Sequence, residues 1–282
     1  MSTLIDYKYK RVIIIDTLKF LDTMFKNKSL TPLTVNLFYY FHWLVLFYTF
    51  YFHFDSSGLI FTAISYFLFG CLGVEINAHR YFAHRSFKYK FKWMEYVFSW
   101  FTCLAGTGSP MQWAGIHFDH HNHSDEEGDP HNPRERGLWM LVWLVYAKGN
   151  AFNLKHMLNP YQKWLHRNYF LVYFITWSVL WLIGGFWLVA YAAIIPTILV
   201  TFIQVGTTYL CHMNIGYRNY KIKDESTNIW WWAILDFGEG LHNNHHADPG
   251  RWNLKDKWFE IDISGLVIKY FLKNETSLSR TI

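Results

Sequence analysis

Two stretches of the chain contain neither lysine nor arginine. They are residues 33–77 and 168–212, 45 residues each, in a chain of 282 residues with 26 such cations. Both are strongly apolar, and about 20 apolar residues suffice to cross a bilayer. Each stretch is therefore long enough for two crossings, which excludes an ordinary soluble domain. Charged residues overall are 17%, against about 25% in a typical soluble domain. Cysteine is also scarce. The three present, Cys71, Cys103 and Cys211, form no CxxC pair, which argues against a disulfide scaffold and fits a reducing face. The early run "VIIID" is too short for a cleaved signal peptide, and no small-residue cleavage site follows it. No nucleic-acid motif, low-complexity tract or internal repeat beyond the two apolar hairpins is visible. The net charge of +5 is accordingly assigned to membrane topology and not to a nucleic-acid partner.

The apolar stretches divide at turn signals. "DSSG", Asp55–Gly58, splits the first into helices near 33–54 and 59–77. The second divides near Gly184–Gly185 or Tyr191, and is read as helices near 169–188 and 191–211, with Pro196 tolerated inside. The expected fold class is an all-α integral membrane protein. Four transmembrane helices form two hairpins, and a cytosolic helical cap comprises residues 1–32, 78–168 and 212–282 of one domain spanning 1–282. Lysine and arginine crowd into those three segments, so both termini face the cytoplasm by the positive-inside rule. Residues 11–25 read as an amphipathic helix on the membrane surface.

Fifteen histidines are present, and nine fall into a pattern. "HRYFAH" carries His79 and His84, "HFDHH" carries His117, His120 and His121, "CHMN" carries His212, and "HNNHH" carries His242, His245 and His246. Residues at i, i+3 and i+4 share a helix face, so each HxxHH set aims three imidazoles at one region. His79 and His84, five apart, do not share a face of an α-helix; they suit the point where a helix leaves the membrane. Nine imidazoles exceed the needs of one ion and suit two, with Fe, Cu, Zn and Ni all compatible. Zinc hydrolases use three protein ligands and an open position, so a redox pair acting on a hydrocarbon chain fits better.

These motifs resemble the integral-membrane fatty acyl desaturases. The matching stretches are "GVEINAHRYFAHRSF", "QWAGIHFDHHNHSDEEGDPHN" with Arg136-Gly137 after it, and "FGEGLHNNHHADPGRWN", and the resemblance runs from about residue 60 to 260. It implies a di-iron centre that uses O2 and two external electrons to introduce a cis double bond. It implies His79, His84, His117, His121 and His245 on one iron, and His120, His212, His242 and His246 on the other. The substrate would be an acyl chain carried by CoA, a carrier protein or a lipid. Electrons would come from a separate ferredoxin or b-type cytochrome with its reductase. The membrane would be the bacterial inner membrane or the endoplasmic reticulum.

The sequence departs from the family pattern at several points. Thr208 stands where an Asn often holds a metal-bound water, Phe118 replaces an Arg, and Glu75 and Asn77 replace small residues. Glu75, one turn before His79, is expected to approach the metal site. Asp125 is the expected carboxylate behind a ligand histidine, ahead of Asp119, Asp129 and Asn243. His123 and His131 are expected not to ligate. Stepping back from His79 by fours gives Glu75, Cys71, Phe67 and Ala63, so Phe67 and Ala63 are expected in the substrate tunnel, with Trp113. Arg85, Lys88 and Lys148 suit an anionic carrier at its mouth. The competing readings are a related di-iron fatty acid hydroxylase or alkane monooxygenase, and a metal transporter. A transporter would place its ligands near the bilayer midplane, and here they lie at helix ends.

Overall fold

The computed structural model describes residues 32–144 and 151–274. The helix expected at 11–25 and Lys148 lie outside the described residues. Among the described residues every extended element is a helix, and β-pairing is limited to isolated bridges such as Tyr89 with Lys273. Helix α1 is Pro32–Phe52 and α2 is Gly58–Ala83. They are followed by α3, Lys92–Leu104, α4, Pro110–His123, and α5, Pro160–Arg167. Then come α6, Tyr169–Cys211, α7, His242–Ala247, and α8, Ile263–Leu272.

Among the described residues three helices, α1, α2 and α6, are long and apolar enough to cross a membrane. Proline opens α1 at a position where its missing N–H costs nothing. Leu44, Phe47 and Tyr51 on α1 and Trp181, Leu182 and Ile183 on α6 remain exposed, as residues facing lipid do. As one straight rod, α6 would run about 65 Å, roughly twice a bilayer core. It is not straight. Gly184 (φ −146°, ψ 17°) and Gly185 (φ 62°, ψ −156°) leave helical geometry, and the second lies in a region that glycine alone adopts readily. The helix boundary expected between 188 and 191 is thus corrected to Gly184–Gly185. The tip of the α1–α2 turn is tied to the residues just past this break. Trp187 Nε1 donates to Asp55 Oδ2 (3.0 Å), and the Tyr191 hydroxyl accepts from the Asp55 N–H (2.7 Å).

Helix α2 also departs from the expected end at 77. From Phe67 to Ala83 it winds as a π-helix, with i→i+5 bonds such as His84 N–H to the His79 carbonyl, 3.0 Å. The lone Arg80 does not stop it, because its guanidinium is buried against Asp262 Oδ2 (2.8 Å) and the Trp252 carbonyl (2.8 Å). Helices α3 and α4 form a hairpin packed on α2. Its connecting loop is pinned by Thr197, which donates to the Leu104 carbonyl (2.7 Å), and by Thr201, which donates to that of Ala105 (2.9 Å). Helix α4 starts at Ser109, whose side chain accepts from Gln112 N–H, with Pro110 in the first turn. Phe69, Val74, Cys103, Leu165, Tyr173 and Val200 form the main buried cluster between these elements. All three cysteines are free and buried.

The α2–α3 contact is backbone to backbone at Gly73. A Cβ there would lie 2.7 Å from the Phe101 carbonyl carbon and 2.8 Å from the Thr102 nitrogen. Gly73→Ala is expected to destabilise the fold by about 1–3 kcal/mol through overpacking. Thermal unfolding of the detergent-solubilised protein checks this.

Candidate dinuclear metal centre

The nine patterned histidines converge into two groups. His79, His84, His117, His121 and His245 place one ring nitrogen each within 4.8 Å of one another, and so do His120, His212, His242 and His246. The membership follows from helix geometry. On α4, His117 and His121 are one turn apart and face the first group, while His120 between them faces the second. On α7, His242 and His246 face the second group and His245 the first. The two HxxHH helices thus contribute in complementary ratios. The π-winding of α2 brings His79 and His84 to one side, which the five-residue spacing would not do in an α-helix.

Five of the nine rings are held from behind. Five Nδ1 atoms face carboxylates: His120 with Asp129 (2.9 Å), His212 with Asp125 (3.0 Å), His246 with Asp224 (3.1 Å), and His79 and His242 with the two oxygens of Glu239 (3.0 and 3.1 Å). Glu239 therefore spans both groups. Glu75 Oε2 stands 3.5 Å from His79 Nδ1, and Gln204 Nε2 donates to Glu75 Oε1 at 2.7 Å. A ring that donates from Nδ1 presents a lone pair at Nε2. Within the two groups the Nε2 atoms point at each other: His79 to His245 at 3.0 Å, His121 to His245 at 2.8 Å, His212 to His242 and His242 to His246 at 3.1 Å. His120 Nε2 is buried without a hydrogen-bond partner. Crowded, converging lone pairs of this kind fit a bound cation in each group and no all-protein hydrogen-bond scheme.

The electrostatics favour neutral ligands. Burial, then the neighbouring imidazoles, hold His117, His121, His245 and His246 well below the ordinary imidazole range. Burial likewise lowers His212 to about 4, against the opposing Asp125 hydrogen bond. Burial would raise Asp125, but its bond to His212 and that ring's charge outweigh it and leave the carboxyl below its usual value. Metal binding requires deprotonated imidazole, and His117, His121, His212, His245 and His246 meet that condition at neutral pH.

The asparagines of "HNNHH" lock α7 in place. Asn243 Oδ1 accepts from the N–H groups of Asn219 and Tyr220 (both 2.8 Å), and Asn244 Nδ2 donates to the Leu254 carbonyl (2.8 Å) and to Glu260. Just upstream, Asp236 Oδ1 accepts from Gly238 and Gly240 N–H and shapes the turn into α7.

Of the other expected residues, Asp125 does meet a ligand histidine, and so does Asp129. Asn243 does not: it anchors backbone. The Asp119 backbone carbonyl lies 3.1 Å from Nδ1 of the exposed His123. Thr208 lines the adjoining cavity, with its hydroxyl turned to the Gln204 carbonyl (3.4 Å). His131 lines it too, with its ring 6.1 Å from that of His120. Trp113 lines it and stacks on His117, centroids 4.6 Å apart. Phe67 and Ala63 do not line it. Phe67 packs edge-on against Phe237 and Ala63 is exposed. The expectation stepped along α2 by fours, and π-winding rotates such a series off the face. Glu239 and Asp224 were not anticipated. Glu239 was visible three residues before His242; Asp224, 22 residues before His246, carried no local signal.

Residues 56–258 match the family described as fatty acid desaturase. The chain belongs to the fatty acid desaturase family. It is an oxidoreductase, a fatty acyl desaturase. Delta-9 acyl-lipid desaturase 2 of Arabidopsis thaliana is 34% identical over 78% of this chain and 73% of its own length. The sn-1 stearoyl-lipid 9-desaturase of Anabaena variabilis is 32% identical over 72% of this chain and 76% of its own. The sn-2 palmitoyl-lipid 9-desaturase of a Nostoc strain is 31% identical over 79% and 81%.

Removing the carboxylate shared by both groups should weaken the whole centre of this desaturase. Glu239→Gln is expected to lower metal affinity about 10–100-fold, read as metal content after gel filtration. Metal content of the unaltered protein should hold steady through pH 6.5, the ordinary imidazole value, and fall as the pH approaches about 4, where His212 protonates. Dialysis across a pH series checks the profile.

Proposed function

We propose that the desaturase holds one iron ion in each histidine group. With O2 and two externally supplied electrons it introduces a cis double bond at carbon 9 of a lipid-linked acyl chain. The carrying observation is the pair of imidazole groups with converging lone pairs, opening onto one largely apolar cavity. His79, His84, His117, His121 and His245 would hold one ion, and His120, His212, His242 and His246 the other. The carbon-9 position and the lipid carrier rest on the names of the relatives.

The metal pair, when bound, supplies the one-electron chemistry that side chains lack. The chain's own residues position and shield. Phe38, Ile198 and Val205 give the cavity apolar walls, which exclude water from the reacting carbons. Trp113, rigid against His117, forms the wall next to the first group. Asp125, Asp129, Asp224 and Glu239 fix five of the rings and keep their Nε2 atoms free to ligate.

In this reading α1, α2 and the two arms of α6 are four crossings. The histidine-bearing ends, both termini and the cap lie on the cytoplasmic side. The inward placement is supported by the absence of Lys and Arg from 33–77 and 168–212. Electrons arrive from a separate ferredoxin or b-type cytochrome.

Expression in a host lacking its own 9-desaturase tests this. Lipid-linked acyl chains should lose two hydrogens at carbons 9 and 10, read by mass spectrometry after double-bond derivatisation. His245→Ala should abolish the product while the protein still reaches the membrane. Gain of an oxygen atom in place of unsaturation would identify a hydroxylase.

A further inference from the structure

The cavity that opens onto the metal centre has a further imidazole away from both histidine groups. His42 lies on α1, lines the cavity and is 1% exposed. It belongs to neither histidine group. Its Nδ1 sits 2.7 Å from the Phe38 carbonyl one turn back, so Nε2 is the acceptor. That Nε2 is buried and has no hydrogen-bond partner. The ring is wedged edge-on against Phe38 (4.3 Å) and packed against Trp177 (5.7 Å) and Tyr173 (6.2 Å), so it cannot swing toward another partner.

The placement of His42 follows from its neighbours. The Tyr173 hydroxyl donates to the Cys103 carbonyl (2.6 Å), and the next carbonyl, Leu104, accepts from Thr197. His42 is thus grouped with the α3–α4 loop and with Thr197. The histidine groups stand at the other end, with Thr208, eleven residues further along α6. A chain whose reacting carbons lie at the histidines would send its remaining length toward His42. The packed aromatic rings there suit a slim methyl end and not a headgroup.

We propose that His42 is a specificity-determining residue, a polar stop for the methyl end of the acyl chain. This rests on the reading above that the cavity holds the acyl chain. An alkyl end filling the cavity beside Nε2 keeps water from donating to that acceptor and offers no donor in its place, which disfavours chains long enough to reach it. A chain ending in a hydroxyl supplies the missing donor. A site with a buried acceptor discriminates by the presence of that donor and not by length alone.

Cells expressing the protein are fed saturated acyl chains of graded length in competition, together with their terminal-hydroxyl counterparts. In the unaltered protein, the hydroxyl should improve use of chains near the length limit. His42→Leu should raise the relative yield from the longest alkyl chains roughly tenfold and abolish the hydroxyl preference. His42→Gln, which keeps an acceptor, should retain the original order. His42→Met serves the same comparison should the leucine variant not accumulate. An unchanged order of preference in the apolar variants across both series overturns the stop. Absence of any double bond from the unaltered protein overturns instead the desaturase chemistry on which it rests.

Discussion

The structure depends on buried imidazoles held by carboxylates at one nitrogen and aimed at one another by the other. Such an arrangement repels itself unless something positive lies between the rings. Glu239 makes the two halves one unit, since its oxygens hold His79 and His242 in different groups. The surrounding polar network, from Asp236 to Asn244, serves to keep these rings from relaxing apart. Buried carboxylates are costly unless fully partnered, so their concentration here marks where the fold carries function.

The architecture explains how residues 166 positions apart, His79 and His245, come to lie 3.0 Å from each other. Three elements end at one level: the π-wound end of α2, the last turn of α4, and the end of α6. The short α7 closes them. The π-winding and the glycine pair in α6 are departures from regular helix, and each places functional groups that regular geometry would misdirect.

Much of this was legible in the sequence because membrane and metal constraints are both severe. Missing cations marked the apolar segments, and histidine spacing marked the centre. The division of His79, His84, His117, His121 and His245 from the other four was implied by the family resemblance alone. What escaped had no periodic signature. The π-winding of α2 is one such feature, and Phe67 and Ala63, placed by steps of four along that helix, do not line the cavity. The partner of His246, Asp224, approaches through a loop whose path no local pattern specifies. The turn at Gly184–Gly185 was one of two readings, and only backbone angles that glycine tolerates separate them.

The link between Asp55 and the Trp187–Tyr191 segment has a mechanical meaning. It joins the α1–α2 turn to α6 at the extremity remote from the histidines. The α1–α2 turn and α6 cannot separate at that extremity without losing both bonds, so the spacing of the helices is fixed there by polar contacts as well as by packing.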